Sequence, residues 1–272
     1  MESNLSQIFR IRKYLDDIKY PDSQRISREI SEYVNGKKNI KEEKIFERLH
    51  KDEPWEYIRG YTQFCNLDFK ISKDTLIPRI ETEKLVYNSV NIIKKENIKN
   101  IVDVGTGSGC IPISIAHILN KQSIPYSIYA TDISKKAIKI AKENESLILK
   151  KKSINWLHTD LIKDIPKLKG KTLIIANLPY IPTRMYKKLD KSVLNYEPKL
   201  ALDGGEDGLK LYKILLEQIK EKNIKSFILY IETEESIVEQ TIELLKEYFP
   251  KSRCTIQKDC FDRKRFLLLN NL

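Results

Sequence analysis

The sequence predicts an α/β fold, a mostly parallel sheet with helices on both faces, preceded by a small helical bundle. Three patterns predict it. Apolar residues recur at helical spacing across residues 1–60. From Tyr61 to Ile71 aromatic and apolar residues alternate with polar ones, the period of a β-hairpin. Beyond residue 78 short apolar runs and helical stretches take turns, which implies parallel strands joined by helical crossovers.

Leu5, Ile8, Ile11, Leu15 and Ile18 set the first helix, and Pro21 ends it. Ser23 to Val34 and Lys41 to Leu49 continue the pattern, with Asn35-Gly36 as a stop between them. Pro54-Trp55-Glu56-Tyr57-Ile58 then leads to Gly60. Phe64, Leu67, Phe69 and Ile71 mark the hairpin. Strands are expected at 101–104, 127–130, 154–158, 173–176 and 227–231, with helices at 111–119, 135–149, 209–220 and 236–248. Residues 253–257 and 265–269 read as a closing antiparallel pair. The chain therefore divides into a helical domain (1–60), a hairpin linker (61–77) and an α/β domain (78–272). No internal repeat or low-complexity segment interrupts it.

Hydrophobic content of 41% and charged content of 32% place the chain among soluble globular proteins rather than disordered ones. No apolar run is long enough to span a bilayer. Met1-Glu2-Ser3-Asn4 does not open a basic-then-apolar leader, so no signal peptide is expected. Cys65, Cys110, Cys254 and Cys260 lack metal-ligand spacing, so a reduced cytoplasmic protein without a metal is expected. The net charge of +11 has two readings, an RNA- or ribosome-associated partner or compositional drift. Of 49 basic residues 11 are Arg, so 38 are Lys, and they are scattered; that mix suits an AT-rich genome. Lys150-Lys151-Lys152, the densest run, reads as a solvated helix end.

Asp103-Val104-Gly105-Thr106-Gly107-Ser108-Gly109 follows the first strand of the α/β region and opens a helix. Glycines let the backbone turn sharply and approach a ligand. A dinucleotide loop would place its third Gly at 110, which is Cys110; G-x-G-x-G after Asp-Val is commoner in S-adenosylmethionine-dependent methyltransferases. Asp132, in Ala130-Thr131-Asp132-Ile133 at the next strand end, is spaced to accept from ribose hydroxyls, with Ile133 beside it. Asp160 is placed for an adenine amino group, with Leu161 against the ring. Turn formation alone also explains Gly and Asp at such positions, but three such sites on successive strands favour a cofactor.

Asn177-Leu178-Pro179-Tyr180 follows the apolar run 173–176, where open α/β sheets do chemistry. Asn177 can accept from an –NH2 through its side-chain oxygen, and the Leu178 carbonyl can take the second N–H. Pro179 biases Leu178 towards an extended backbone. Tyr180 offers an aromatic face to a planar target. Holding both hydrogens aims the nitrogen at a sulfonium methyl, and no general base is required. These residues alone leave open an amide or an exocyclic amine as target, and an ordinary turn after a strand as the plain alternative.

Five stretches together resemble the bacterial and organellar release factor glutamine methyltransferases of the PrmC/HemK type. They are 54–60, Leu76-Ile77-Pro78-Arg79-Ile80-Glu81-Thr82-Glu83, 103–110, 177–180, and Glu197-Pro198-Lys199-Leu200-Ala201-Leu202-Asp203-Gly204-Gly205-Glu206-Asp207-Gly208-Leu209. The resemblance implies a seven-stranded Rossmann-like class I methyltransferase sheet. It implies S-adenosylmethionine as cofactor and S-adenosylhomocysteine as product. Cofactor contacts would come from Gly105, Thr106, Gly107, Ser108, Gly109, Asp132, Ile133, Asp160, Leu161 and Asn177. Asn177, Leu178, Pro179 and Tyr180 would form the catalytic and substrate-binding site. The substrate it implies is the Gln of the Gly-Gly-Gln motif in class 1 peptide chain release factors, methylated on N5 and gripped by the helical domain. Two positions depart from the family: Leu178 stands for the first Pro of NPPY and Ile80 for the second Pro of PRPETE. Only a carbonyl is needed at 178, so activity is expected to survive.

An adenine-N6 methyltransferase acting on RNA or DNA is the alternative, and a non-catalytic binding module a third. The helical segment lacks the interleaved aromatic and basic residues of a nucleic-acid grip, and loop and signature are both intact. No nucleic-acid substrate, no membrane and a monomer are expected. His50, His117 and His158 are isolated, Glu232 reads as a plain strand-end acid, and Cys260 and Arg263 as part of a turn.

Overall fold

The computed structural model describes residues 3–36 and 40–272. Met1 and Glu2, where the leader reading begins, and residues 37–39 in the helical segment lie outside the described residues. Four helices come first: α1 (Asn4–Asp17), α2 (Ser23–Asn35), α3 (Glu42–Leu49) and α4 (Trp55–Arg59). Ser3 caps α1 by accepting from the Ser6 amide at 3.2 Å. Ile11, Leu15, Ile26, Ile30, Ile45, Leu49 and Trp55 close a core of their own. The expected stripe on α1 is only partly used, since Ile11 and Leu15 are buried while Leu5 at the start of the helix faces solvent.

The hairpin follows as β1 (Tyr61–Phe64) and β2 (Leu67–Lys70). Cys65 and Asn66 turn it with φ of 50° and 58°, the left-handed pair of a two-residue turn. The Cys65 amide donates to Glu83 Oε1 at 2.8 Å. Phe64 and Phe69 pack edge to face, inside the core of the α/β region.

The α/β region contains α5 (Glu83–Glu96), β3 (Asn100–Val104), α6 (Cys110–Lys121), β4 (Ser127–Asp132), α7 (Lys135–Ile148), β5 (Ile154–His158) and β6 (Thr172–Ala176). It continues with α8 (Thr183–Tyr186), α9 (Lys191–Tyr196), α10 (Lys210–Glu221), β7 (Phe227–Glu232), α11 (Val238–Tyr248), β8 (Arg253–Lys258) and β9 (Lys264–Asn271). All expected elements are present. Helix α5, absent from the expected series, buries Leu85, Val86, Val90 and Ile93 beside the sheet. The short helices α8 and α9 are also additions.

The seven strands run β5-β4-β3-β6-β7-β9-β8, with β9 antiparallel to both its neighbours and the rest parallel. Side chains alternate between two cores. Ile101, Leu173, Ile175, Ile228 and Tyr230 face α5, α6 and the hairpin. Val102, Val104, Ile174, Ala176, Leu229 and Ile231 face α10 and α11. Burial of both faces explains why the strands read as apolar runs rather than alternations.

Register is what positions the site. Val104 lies between Thr131 and Ala176, and Ala176 pairs with Ile231. Gly105, Asp132, Asn177 and Glu232 therefore reach the carboxyl edge of the sheet at one level. The strand order reverses between β3 and β6, the usual place for a ligand crevice.

The chain from 177 to 183 is pinned by the segment that returns at 202–208. Ile181 N donates to Leu202 O at 3.1 Å, Gly204 N to Ile181 O at 2.9 Å and Thr183 N to Gly205 O at 2.8 Å. The approach is so close that a Cβ on Gly204 would lie 2.6 Å from the Pro179 carbonyl oxygen, and one on Gly208 2.3 Å from that of Tyr180. Gly208 also has φ +79°. Gly60 has φ +82° with open space around its missing Cβ. Gly60→Ala is expected to cost about 1 kcal/mol, from the left-handed backbone alone. Gly208→Ala is expected to cost about 3 kcal/mol, because backbone must move as well. Denaturant midpoints of the two variants check this, and equal losses would rule out the close approach.

Candidate active site

The crevice between the ends of β3, β4 and β6 holds a cavity of about 350 Å³. Gly105 and Gly107 of the glycine loop form one wall, and Asp132 and Ile133 the next. Asp160 and Leu161 reach it from the end of β5, and Asn177, Leu178 and Pro179 from the end of β6. Nine of the expected residues thus surround one space. Thr106, Ser108 and Gly109 do not line it. Thr106 and Ser108 are buried behind the loop, and Gly109 turns the chain into α6 at φ +79° with Trp156, Ala141 and Ile113 too close for a Cβ. Tyr180 also lies off the cavity, its hydroxyl drawn inward.

Asp132 holds the loop as well as facing the cavity. Its Oδ2 accepts from the Gly107 amide at 2.8 Å and its Oδ1 from the Ser134 amide at 2.8 Å. Burial raises its carboxyl, against the pull of these two amides. Each oxygen keeps a lone pair for a further donor. Beneath the loop, Asp103 is fully buried and neither of its carboxyl oxygens has a hydrogen-bond partner. Burial pushes it up to about 7. An unpartnered buried acid facing a glycine loop suits a donor brought by a ligand. Sequence reasoning treated Asp103 only as part of the loop motif.

Leu178 is buried, and its Cδ2 lies 2.9 Å from where a Gly105 Cβ would stand. The leucine side chain thus fills the crevice floor where the related motif has a proline ring. The segment before α5 closes the other side. Arg79 forms an ion pair with Glu197, and the Ile77 amide donates to the same carboxylate at 3.3 Å. Stretches 76–83 and 197–209, distant in sequence, meet through this acid.

Glu232 is the residue that sequence reasoning undervalued. Thr82 Oγ1 donates to its Oε2 at 2.7 Å, Asn177 Nδ2 to the same oxygen at 3.1 Å and the Tyr180 hydroxyl to Oε1 at 3.2 Å. Asn177 Nδ2 also donates to Thr82 Oγ1 at 3.3 Å. Arg265 Nη1 donates to the Tyr180 hydroxyl at 3.4 Å and its Nε to Asp259 Oδ2 at 3.2 Å. Asp259 in turn accepts amides of the 259–263 turn, where Cys260 and Arg263 lie as expected. The Tyr212 hydroxyl donates to the main-chain carbonyl of Glu232. Burial raises the Glu232 carboxyl to about 7, opposed by Thr82, Arg265 and Tyr180. The available signal was register, since one residue beyond Ile231 must stand beside Asn177.

The remaining marked residues are peripheral. Lys150, Lys151 and Lys152 are exposed just past α7. His158 bonds the Ile133 carbonyl at 2.9 Å. Among the described residues no group of His, Cys, Asp or Glu is arranged to hold a metal ion, and no helix is long and apolar enough to cross a membrane.

Known proteins share this arrangement to different degrees. Residues 81–195 match the family described as ribosomal protein L11 methyltransferase (PrmA), under half of the chain. The human METTL16 catalytic domain in complex with MAT2A 3'UTR hairpin 6 superposes with a TM-score of 0.57 over 75% of each chain, at 15% identity. The N-terminal domain of human METTL16 in complex with SAH does so at 0.51, over 96% of this chain and 97% of that one, also at 15% identity. These likenesses show the fold. Closer in sequence are proteins named release factor glutamine methyltransferase. The one from Flavobacterium psychrophilum is 34% identical over 84% of this chain and 79% of its own length. Those from Lactococcus lactis and Bacillus cereus are each 32% identical, over 82% and 86% of this chain and 79% and 84% of their own lengths. At that identity and coverage, the chain belongs to the release factor glutamine methyltransferase family.

Proposed function

We propose that the protein transfers the methyl group of S-adenosylmethionine to the side-chain amide nitrogen (N5) of the Gln in the Gly-Gly-Gln motif of class 1 peptide chain release factors. The observation that carries this reading is Asn177, its amide oriented at the end of β6 beside the glycine-loop cavity, in a chain of this family.

The residues present fit the cofactor. The unpartnered carboxyl of Asp103 suits the α-ammonium of the amino-acid tail. Asp132, already fixed by Gly107 and Ser134, has lone pairs for the ribose hydroxyls. Asp160 and Leu161 stand where an adenine would lie, and Gly107 leaves open space for the approach. Thr106, Ser108 and Gly109 hold the loop from behind, and Ile133 flanks the cavity. When bound, S-adenosylmethionine supplies a sulfonium-activated methyl.

The chain's own part is positioning. An amide nitrogen is a weak nucleophile because its lone pair is delocalised. Asn177 Oδ1 accepts one N–H and the Leu178 carbonyl the other, so that the lone pair is aimed at the methyl. These oxygens also favour the positive charge that builds on nitrogen. The methylated nitrogen loses its proton to water, so no general base is required. Pro179 keeps the Leu178 carbonyl extended. Tyr180, held by Glu232 and Arg265, stiffens the loop from inside. The helical part, 1–60, grips the factor away from its target loop, joined through 61–77 to the methyltransferase domain, 78–272. The adenine-N6 alternative gains no support from the METTL16 structures, since a likeness at 15% identity shows the fold alone.

Purified protein should transfer labelled methyl to a release factor, and replacing the factor's Gly-Gly-Gln glutamine by Ala should abolish labelling. Label in RNA or DNA but not in the factor would sink the reading. Asn177→Ala should lower kcat roughly 100-fold or more, with the cofactor Kd rising only modestly. Turnover near wild type would remove Asn177 from the grip on the amide. Asp132→Ala should weaken cofactor binding roughly 10–100-fold by calorimetry; unchanged affinity would exclude the ribose role.

A further inference from the structure

We propose that Glu232 is the positioning residue for Asn177: its carboxylate fixes which way the Asn177 amide points and polarises the oxygen that receives the target –NH2. This rests on the reading of the site as a glutamine-amide methyltransferase.

An asparagine amide has two orientations of nearly equal shape, one presenting an acceptor to the cavity and the other a donor. A target –NH2 needs the acceptor; the flipped amide would set N–H against N–H. The site must therefore contain something that rejects the flip. Asn177 Nδ2 lies 3.1 Å from Glu232 Oε2 and 3.3 Å from Thr82 Oγ1. Thr82 has spent its own proton on Glu232, at 2.7 Å, so it too presents a lone pair to Asn177. Flipping Asn177 would turn Oδ1 towards two acceptors inside a fully buried pocket. Among the described residues Oδ1 accepts no hydrogen bond and is left for substrate.

Glu232 does more than a neutral acceptor would. A carboxylate behind the Nδ2 hydrogens draws electron density through the amide towards Oδ1, and low local dielectric strengthens the effect. That makes Oδ1 a better partner for a nitrogen gaining positive charge. Glu232 does not reach the cavity itself, so it acts through Asn177 and is not a base for the substrate.

Every element packed on Glu232 contributes to its ionisation. Thr82 and Glu81 face it from before α5, Tyr180 from the loop after β6, Tyr212 from α10, Tyr230 from β7 and Arg265 from β9. Burial outweighs the donors and raises the carboxyl to about 7. The carboxylate is present above that pH. Below it Glu232 carries a proton, holds its neighbours as a neutral acid and polarises Asn177 less. Turnover should therefore fall as pH falls through about 7.

The test compares wild type, Glu232→Gln and Glu232→Ala with a release factor and labelled S-adenosylmethionine, beside calorimetric cofactor affinity and thermal melts. Glu232→Gln keeps an acceptor for Asn177 but no charge. It should lose about tenfold in kcat, with cofactor Kd unchanged. Glu232→Ala should lose about 100-fold, the upper range for removing a supporting partner. The Asn177→Ala, Glu232→Ala double variant should be no slower than Asn177→Ala alone. A substrate-independent measurement covers loss of fold: the side-chain amide protons of Asn177 in the wild-type protein should shift in NMR with an apparent pKa near 7, and the shift should vanish in Glu232→Gln. Glu232→Ala turning over within about threefold of wild type, strictly multiplicative losses in the double variant, or a pH-invariant Asn177 amide would each overturn the proposal. Wild type that labels no factor while its Asn177 amide titrates as expected would overturn the substrate reading and leave the orientation of Asn177 by Glu232 supported.

Discussion

The loop after β6 is confined between backbones and side chains that only glycine admits. On one side the Leu178 side chain occupies the space a Gly105 Cβ would need. On the other, Gly204 and Gly208 bring the returning chain against the carbonyls of Pro179 and Tyr180. Protein interiors resist such displacement because close packing leaves no slack. The carbonyl at 178 and the amide at 177 are therefore fixed before any ligand arrives, which is what catalysis by positioning requires.

Two buried acids divide the electrostatics of the site. Glu232 is saturated by three side chains from two segments, whereas neither carboxyl oxygen of Asp103 makes a hydrogen bond of ordinary geometry and only the Thr106 hydroxyl draws on it. Burial raises both to about 7. The same physical cause serves different ends: a saturated acid organises its neighbours, whereas an unpartnered one stores an unmet demand that a ligand's donor relieves. Asp132 lies between these extremes, bonded on both oxygens yet open to the cavity.

The sheet was legible because strands buried on both faces are apolar runs, and the loops after them are rich in Gly, Asp and Pro. Asn177, Asp132 and Gly105 could be found from their places at strand ends. Helix α5 was not, since a helix preceding the first strand falls outside a strand-helix alternation. The ring of Tyr180 was legible as a face for a planar group, but its hydroxyl bond to the buried Glu232 was not. Glu232 lay 55 residues from Asn177 in sequence, and only the pairing of Ala176 with Ile231 makes them neighbours. Pairing register between non-adjacent segments is the information that one sequence does not display.

Asn144 on α7 joins parts of the molecule that the chain keeps far apart. Its amide receives from Lys70 N at 2.8 Å and donates to Lys70 O at 2.9 Å and to Ser108 O at 2.8 Å. One side chain thus fastens the hairpin to the glycine loop, while Phe64 and Phe69 anchor the hairpin in the sheet's core. A hairpin held this way is a strut and not a hinge. Hairpin and glycine loop are thus held as one piece, and a push on either is felt by the other.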